Sequence, residues 1–512
     1  MTKKIIPVFL TFYCFFFLWP GTGKQAYAQS ASPAVKETTV LLPQPIRRFL
    51  QLPGMEGASF SLLVKSLDDG EIRYSYDSDR ALTPASVLKT VTTATALERL
   101  GPDYRFPTTL AYDGEITDGL LKGNLYIQGS GDPSLGSAHF ASGDREEGKN
   151  DFLTRWLTAI REAGIREIQG AVVSDERIFD TEGISGKTVY EDVGSYYGAG
   201  TYGISVFDNL YRLYLETGAP GSRPVIRKTV PPMPALQFHN YLRTQTAPSD
   251  SSFILGVPFA ADCYLYGTVP ANRKSYSLKG AIPDPALFLA GYLTDQLRAH
   301  GIPVANEPGC YRLWQETRKW NEQDRKTLLT TYSPSLEEIV QVTNHVSHNL
   351  YADALLKTIG LSYQASPNEV LSSFERGIQV LRSHWEEKGL STASLCLYDG
   401  SGLALADKLT ARFLGELFTY MARESPVKAS FVRSLPRAGQ EGSVVNFLKG
   451  SELQGKARLK SGSMSGVKGY AGYIDKEGKR YVVVLFVNNY TLEGRPMNKA
   501  IENLLLTLFR SL

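Results

Sequence analysis

The chain has 512 residues, of which 43% are hydrophobic and 21% are charged. This composition is typical of a globular protein, and the length predicts roughly two to four domains. The formal net charge of +3 is close to neutral. Without a basic cluster there is no electrostatic basis for binding nucleic acid, so we expect no nucleic-acid partner.

The first residues have the pattern of a signal peptide. A basic MTKK segment and the apolar run IIPVFLTFYCFFFLWP precede the small-x-small sequence AYA, which predicts a signal peptide over residues 1–28 and cleavage before Gln29. The alternative is an uncleaved N-terminal anchor. Cleavage removes three lysines and no acids, leaving 52 basic and 52 acidic residues. No other apolar run is long enough to span a membrane. We therefore expect an exported, periplasmic protein without a transmembrane segment in the mature chain.

Cysteine and histidine give little guidance. Cys263, Cys310 and Cys396 remain after cleavage. One disulfide between Cys263 and Cys310 is possible, and three separate buried thiols are the alternative. His345 and His348 share a helix face without a third ligand, and the chain has no HExxH or Cys/His ligand spacing. We therefore expect no metal site and no cofactor.

The N-terminal part of the mature chain predicts a hairpin and then a helix. FSLLVKSLDDGEIRYSY (60–76) contains two strand-like runs around a DDG turn. TPASVLKTVTTATALERL (83–100) reads as one helix, with Pro84 near its start and Gly101 just after its end. Lys89 is the one charge in the apolar middle of this helix.

The rest of the chain falls into three parts. Short strands and turns fill residues 105–325, with one clear helix at 284–301, and a long helical segment follows at 333–360. VKGYAGYIDKEGKRYVVVLFVNNY (467–490) predicts a second hairpin, and residues 497–512 predict an amphipathic C-terminal helix. Strands from both ends of the chain are expected to share one sheet, with helices on its faces and the middle inserted.

Ser86 and Lys89 are candidates for nucleophile and base. At positions i and i+3 of a helix they project from one face, and the helix N-terminus offers free backbone N–H groups nearby. Serine is a weak nucleophile until a base removes its proton. A lysine can act as that base only if desolvation or neighbouring cations lower its pKa. The alternative is that Lys89 extends to solvent and Ser86 merely packs.

An isolated SxxK motif is weak, because SPVK (425–428) and SGVK (465–468) also occur. The first of these has an internal proline and the second lies in a glycine-rich turn. Only the motif at Ser86 opens an apolar helix.

Two further motifs strengthen the signal. SHN (347–349) offers a hydroxyl and an amide, although SPN (366–368) has the same pattern. KSG (460–462) precedes the C-terminal hairpin, where a substrate would lie along a strand edge with its carboxylate near the ammonium. A capping serine and a turn glycine are the alternatives. The order SxxK, SxN and KSG is the set described for penicillin-recognising active-site-serine enzymes.

On these motifs the chain resembles the DacB-type D-alanyl-D-alanine carboxypeptidase/endopeptidases, the class C low-molecular-mass penicillin-binding proteins. The resemblance covers nearly all of the mature chain, and the long insertion between the first two motifs distinguishes this class. The matching stretches are QGSGDPSL (128–135), EDVGSYYGAG (191–200), SHNLYADALLK (347–357), LYDGSGLA (397–404), LPRAGQEGS (435–443) and KSGSMSGVKGYAGY (460–473).

The resemblance implies an α/β (α+β) fold of the penicillin-recognising, β-lactamase-like kind. A central antiparallel sheet is flanked by helices, and strand-rich domains are inserted between the SxxK and SxN motifs. The expected domains are a catalytic domain (29–105 and 325–512), an inserted domain II (106–195 and 270–324) and a nested domain III (196–269).

The resemblance also implies roles for individual residues. Ser86 is the nucleophile of an acyl-enzyme, with Lys89 as general base and Ser347 as proton relay to the leaving amine. The implied substrate-binding residues are Asn349 for an amide, Lys460 and Ser461 for the terminal carboxylate, Gly462 beside them, and the backbone N–H groups of Ser86 and Ser463 for the oxyanion. Asp132, in the GDP turn, is a candidate for a substrate ammonium; the alternative is a turn-forming aspartate before proline.

The chain departs from the family pattern at several positions. Ser461 replaces threonine and keeps the hydroxyl. Ala404, Leu405 and Asp407 replace a serine, an arginine and an asparagine, and Ser465 replaces a glutamine found in many members. These changes leave the acylation residues in place but put endopeptidase preference and the third stem-peptide residue in doubt.

The implied function is an exported serine D-alanyl-D-alanine carboxypeptidase/endopeptidase that acts on peptidoglycan stem peptides and is acylated by penicillins. One alternative is a β-lactamase, for which no dedicated deacylating base is apparent. Another is a penicillin-binding wall protein with weak turnover.

Overall fold

The computed structural model describes residues 42–141 and 151–512. The predicted signal peptide lies outside these residues. Within the two ranges, every helix is too short or too polar to cross a lipid bilayer.

The described α-helices lie mainly after residue 284. They are α1 (Gln44–Leu50), α2 (Lys89–Leu100), α3 (Asp151–Glu162), α4 (Pro285–Ala299), α5 (Tyr311–Glu316), α6 (Leu336–Val346), α7 (Asn349–Gly360), α8 (Ser373–Glu387), α9 (Ala411–Arg423), α10 (Lys428–Ser434) and α11 (Gly494–Arg510).

The described strands fall into three groups along the chain. The first group is β1 (Ser59–Ser66), β2 (Ile72–Tyr76) and β3 (Ala81–Leu82). The middle group is β4 (Pro107–Tyr112), β5 (Glu115–Thr117), β6 (Leu120–Lys122), β7 (Leu125–Gln128), β8 (Glu167–Ile168), β9 (Val172–Asp175), β10 (Leu210–Thr217), β11 (Val225–Val230), β12 (Gln237–Asn240), β13 (Arg243–Gln245), β14 (Phe253–Leu255), β15 (Asp262–Tyr266), β16 (Thr268–Pro270), β17 (Arg273–Ala281), β18 (Gly309–Cys310) and β19 (Lys326–Tyr332). The last group is β20 (Leu409–Thr410), β21 (Ala457–Met464), β22 (Val467–Lys476) and β23 (Lys479–Asn488).

One antiparallel sheet joins the two ends of the chain, as predicted. Its order is β2-β1-β23-β22-β21, and β1 pairs with β23 so that Leu63 lies opposite Val484. The two predicted hairpins supply four of its five strands. β21, which carries the KSG motif, is an edge strand, so one side of its backbone is not used by a neighbouring strand of this sheet.

The sheet lies between two layers of helix. Val482, Val484 and Phe486 of β23 belong to a buried cluster with side chains of α2, α6, α7, α8 and α9. On the other face, the Tyr481 ring lies 5.5 Å from that of Phe509 in α11. The apolar run YVVVLFV is therefore buried on both faces, which explains why it lacks the polar alternation of a half-exposed strand.

The middle of the chain forms its own sheets. The largest has the order β18-β9-β7-β4-β19, and a three-stranded sheet has the order β11-β10-β17. Each packs into a separate buried cluster, one around Trp156 and one around Tyr211.

Two predictions for the helices need correction. The sequence analysis expected one clear helix in the middle segment, but the short α5 also lies there, and so does the longer α3. Its buried side chains, Phe152, Trp156 and Ile160 among them, follow helical spacing in a stretch that was not recognised. The helical segment predicted at 333–360 is also two helices, because Ser347 adopts a left-handed conformation (φ 62°) and ends α6.

The three cysteines among the described residues carry no disulfide. Cys263 and Cys310 are buried free thiols, so the pairing considered above is absent. Cys396 is also free but exposed, which differs from the alternative of three buried thiols. The domain boundaries proposed from the resemblance remain a prediction.

Candidate active site

Ser86 lies in a tight turn held between two glycines. The predicted helix begins with a 3-10 turn, Ala85–Leu88, before α2, and Ala85 has a positive φ of 46°. A Cβ on Gly402 would lie 2.0 Å from the Ala85 carbonyl oxygen, and one on Gly462 would lie 2.6 Å from that of Pro84. Only glycine allows these close approaches, which fix the turn against β21 on one side and the Gly402 loop on the other.

Lys89 is fully buried, and its ammonium has three acceptors. Nζ donates to Ser86 Oγ at 2.9 Å, to Asn349 Oδ1 at 2.6 Å and to the Ser401 carbonyl at 2.6 Å. Burial lowers the pKa of Lys89, since desolvation disfavours the charged form. The ammonium that seemed isolated in the sequence is therefore fully hydrogen-bonded in the fold.

Three carboxylates act on this lysine from other segments. Asp353, Asp399 and Asp407 each favour the ammonium form when they are ionised, and so oppose the effect of burial on the Lys89 pKa. Asp353 Oδ1 accepts the Gly400 N–H at 2.9 Å, and Asp399 accepts the N–H groups of residues 401, 402 and 404. The acidic side chains thus shape the loop that supplies Ser401.

Asp407 stands where the family pattern has asparagine, and its buried side chain can keep the hydrogen-bonding capacity of that residue. It is fully buried, and Oδ1 accepts the Tyr398 N–H at 2.7 Å. Burial and the charge of Asp399 raise its pKa well above the usual range. A protonated carboxyl group offers both an O–H donor and a carbonyl acceptor, the two kinds of group that an amide also combines.

The SHN motif spans two helices, and its serine and asparagine contact different lysines. Ser347 follows α6, and its Oγ accepts from Lys460 Nζ at 2.9 Å. Asn349 begins α7; besides accepting from Lys89, its Nδ2 donates to the Tyr197 carbonyl at 2.7 Å. The break between the helices allows this arrangement.

Lys460 is fully buried at the site, as Lys89 is. In addition to Ser347, it donates to the Ser461 carbonyl at 2.7 Å. Burial, and then the charge of Lys89, lower its pKa well below the usual value. Burial thus lowers the pKa of both neighbouring lysines, Lys89 and Lys460.

The hydroxyls of the KSG strand have partners of their own. Ser461 Oγ lies 2.8 Å from Ser443 Oγ, and Ser463 Oγ accepts from Lys468 Nζ at 2.8 Å. Ser463 is exposed, whereas Gly462 is buried against the Ser86 turn.

These elements border a cleft of about 1080 Å³. Ser86, Ser347, Asn349 and Ser463 line one side. Residues from the middle of the chain line the other, among them His139, Asp192, Tyr197, Asp208, Arg212 and Lys279. The serine nucleophile candidate therefore opens to a space large enough for a peptide.

Asp132 does not belong to the cleft-lining set. It is buried, and its Oδ1 accepts from the backbone N–H and the hydroxyl of Ser134 at 2.8 and 2.6 Å. Burial raises its pKa to about 6. This geometry is that of the turn-forming alternative.

Two of the positions at which the chain differs from the family pattern line the cleft. Leu405 and Ser465 stand where the pattern has arginine and glutamine, and both are exposed. Ala404, by contrast, is fully buried. The cleft therefore lacks two long polar side chains at its rim.

Sequence reasoning missed several contributors to the site. Asp353, Asp399 and Ser401 lie within stretches quoted for the resemblance, as does Ser443, but no role was assigned to them. The one hint in the sequence is that these Asp and Ser residues lie close to the motifs. That hint indicates a role only once the fold shows that the segments meet at Lys89.

A histidine cluster also lies in the cleft. Ligand atoms of His139, Asp208 and His348 are within 4.8 Å of one another. The three residues come from distant segments, so no ligand spacing revealed them.

Comparisons with known proteins identify relatives by sequence and by fold. The chain is 28% identical over 466 residues to a D-alanyl-D-alanine carboxypeptidase of Actinomadura sp. strain R39, covering 87% of this chain and 81% of the relative. The crystal structure of penicillin binding protein 4 (dacB) from Haemophilus influenzae matches with a TM-score of 0.76 at 21% identity, covering 91% of this chain and 98% of that one. The same protein in complex with a β-lactam matches with a TM-score of 0.72 at 21% identity and the same coverage. These structural likenesses establish the fold.

The family assignment follows from the sequence match. The model of the D-Ala-D-Ala carboxypeptidase 3 (S13) family matches residues 42–508. It covers most of the chain and both sides of the cleft. The chain therefore belongs to the D-Ala-D-Ala carboxypeptidase 3 (S13) family of serine peptidases.

Proposed function

We propose that the protein hydrolyses the D-Ala–D-Ala bond of peptidoglycan stem peptides, and D-Ala–diamino-acid crosslinks, through an acyl-enzyme on Ser86. The observation that carries the proposal is the 2.9 Å hydrogen bond between Ser86 Oγ and the buried Lys89 Nζ at the cleft. A desolvated lysine of lowered pKa is suited to take the serine proton.

Acylation begins when neutral Lys89 takes the Ser86 proton and Oγ attacks the carbonyl carbon. The backbone N–H groups of Ser86 and Ser463 are proposed to stabilise the oxyanion. As the intermediate collapses, Lys89 gives up the proton and the departing amine gains one, with Ser347, whose Oγ contacts Lys460, as the proposed relay to the amine. Water then hydrolyses the ester and restores Ser86.

Substrate binding is assigned to the KSG strand and Asn349. A C-terminal carboxylate would lie beside Lys460, Ser461 and the exposed Ser463, with Gly462 allowing the strand to lie against the Ser86 turn. An amide group has two N–H bonds, and Tyr197 uses one of those on Asn349 Nδ2. The second remains for a substrate carbonyl.

Penicillins are proposed to acylate the same serine, because their strained amide takes the place of the peptide bond. The β-lactam complex of the Haemophilus relative supports this by analogy of fold. We further propose that the protein works in the periplasm, as the predicted signal peptide and the cell-wall substrate both indicate.

Two substitutions test the proposed nucleophile and the proposed base. Ser86→Ala should abolish covalent labelling by a fluorescent penicillin, because no attacking oxygen remains. Lys89→Met, which keeps the buried volume, should slow labelling by about 10²–10⁴-fold through loss of the base. Labelling is measured per folded protein after gel separation.

The matched control is Ser425→Ala, in a second SxxK pattern. Ser425 Oγ donates to Glu98, away from the cleft. This variant should label like the native protein. Unchanged labelling of Lys89→Met would contradict the proposed base.

The fate of the adduct and of natural substrates tests the reaction class. A stable penicilloyl adduct, D-Ala release from stem pentapeptides and loss of both in Ser86→Ala are expected of a DD-peptidase. Rapid loss of label would instead mean a β-lactamase, and a stable adduct without peptide hydrolysis a wall-binding protein. Crosslinked muropeptides, followed by chromatography, measure the endopeptidase share, which we expect to be reduced because Leu405 and Ser465 replace polar rim residues.

The pH dependence of acylation reports the environment of Lys89. Since only the neutral amine accepts a proton, the rate should rise with pH and level off below pH ~10.4, the ordinary lysine value. Ionised Asp353 favours the ammonium form, although burial raises the pKa of Asp353 itself, so Asp353→Asn should lower the Lys89 pKa and move the rise to lower pH. Stopped-flow acylation across pH provides the measurement.

Asp295→Asn, at an exposed position on α4, serves as the control and should leave the profile in place. A shift of the Asp353→Asn profile to higher pH, or none at all, would refute the assigned electrostatics.

Gly462→Ala tests the contact between β21 and the Ser86 turn. The added methyl would meet the Pro84 carbonyl oxygen at 2.6 Å, so strand and turn must separate. A misplacement of this kind is expected to slow acylation by about 10²-fold while the circular dichroism spectrum stays native. Gly494→Ala, where an added Cβ meets no atom within 4 Å, should acylate at the native rate. Equal rates for both variants would rule out a positioning role for this contact.

A further inference from the structure

We propose that His139, Asp208 and His348 form a binding site for a divalent transition metal ion, with Zn²⁺ as the fitting ion, on the wall of the cleft. The site does not depend on the proposed peptidase activity, because its ligands are distinct from Ser86, Lys89 and Lys460.

The three side chains already converge. His348 Nε2 lies 3.7 Å from Asp208 Oδ1, and the ligand atoms of all three residues lie within 4.8 Å of one another. Two ligand atoms on one tetrahedral zinc ion, each about 2.0–2.1 Å from it, are roughly 3.4 Å apart. His139 is exposed, so a rotation of its side chain would close the remaining gap.

The His348 imidazole lacks the hydrogen bonds that a buried polar ring normally makes. Its Nδ1 is buried and has no partner among the described residues, and Nε2 is beyond hydrogen-bond distance of Asp208. Buried polar atoms are usually satisfied, so a missing partner calls for an explanation. A metal ion on Nε2, the ring nitrogen that faces Asp208, would give this imidazole one strong partner, while Nδ1 keeps none among the described residues.

Asp208 is held in the cleft by an unusual backbone. Phe207, Asp208 and Asn209 have consecutive φ values of 53°, 57° and 50°. Asn209 fixes this left-handed turn, accepting from the Val206 N–H at 2.9 Å and donating to the Gly200 carbonyl at 2.9 Å. Strain of this kind persists where the surrounding structure fixes it, often at functional positions.

A neighbouring hydroxyl orients the carboxylate. Tyr351 Oη lies 2.9 Å from Asp208 Oδ1 and 2.7 Å from Ser137 Oγ. It can donate to Oδ1 of the carboxylate while accepting from the serine, and neither of these hydrogen bonds uses Oδ2. Hydrogen bonds of this type set the direction of metal-binding carboxylates.

The donor set selects the ion. Two imidazoles and one carboxylate suit zinc, copper or nickel and not magnesium or calcium, which prefer oxygen ligands. Three protein ligands leave a fourth position open toward the cleft. The ion would link His139 and Asp208, from the middle of the chain, to His348 of the SHN motif.

Lys279 opposes the ion. It lines the same cleft and acts electrostatically on both Asp208 and His348. Its positive charge should weaken metal binding. Removing this charge should therefore strengthen binding, whereas removing a ligand should weaken it.

The test is a zinc titration of the purified full chain, without a histidine tag, in competition with a chromophoric chelator. We expect one Zn²⁺ per chain and a rise in the thermal unfolding midpoint with zinc. His139→Ala and Asp208→Asn should each weaken binding at least tenfold and reduce the thermal shift. Lys279→Met should strengthen binding.

His239→Ala is the matched control. His239 Nε2 lies 2.7 Å from Asp262 Oδ1 at an exposed position, so it is also a histidine beside an aspartate. This variant should bind zinc like the native chain. No zinc uptake by the native protein, or native affinity in both His139→Ala and Asp208→Asn, would overturn the proposal. Loss of zinc affinity in His239→Ala instead would show that zinc binds at His239 and not at the proposed site.

Discussion

The buried ammonium of Lys89 is the interaction on which the site depends. Each of its three acceptors comes from a different segment: the turn before α2, the start of α7 and the loop at Ser401. An ammonium without partners in a core would be unfavourable by several kcal/mol. The need to satisfy it therefore requires all three segments to be in place at once.

The backbone around this lysine adopts conformations that are unfavourable in isolation. Ala85 and Ser347 both have positive φ, a state that costs about 1–2 kcal/mol for ordinary residues. At Ser347 the left-handed residue separates two helices, so serine and asparagine two residues apart reach Lys460 and Lys89. In one continuous helix, residues at i and i+2 would not share a face.

Much of the fold could be read from the sequence because its signals are local. The hairpins follow from turn residues between apolar runs, and Gly101, with a φ of 84°, ends α2 as expected. The order of the three motifs led to the family, which the match over residues 42–508 confirms.

What the sequence did not reveal depends on contacts between distant segments. In the sequence, Asp353 and Asp407 look like ordinary polar residues, and only the fold brings them close to Lys89. The GDP motif likewise does not indicate that Asp132 is buried. The helix break at Ser347 went unnoticed because serine is a common helix residue and no glycine marks the end.

The lowered pKa of Lys460 has a consequence for binding. Its described partners are a hydroxyl and a carbonyl, so no negative charge there offsets its burial. A ligand carboxylate placed beside it would supply that charge and favour the ammonium form. Recognition of an anion and uptake of a proton from solvent then become one thermodynamically linked event, and affinity for carboxylate-bearing ligands falls as protons become scarce.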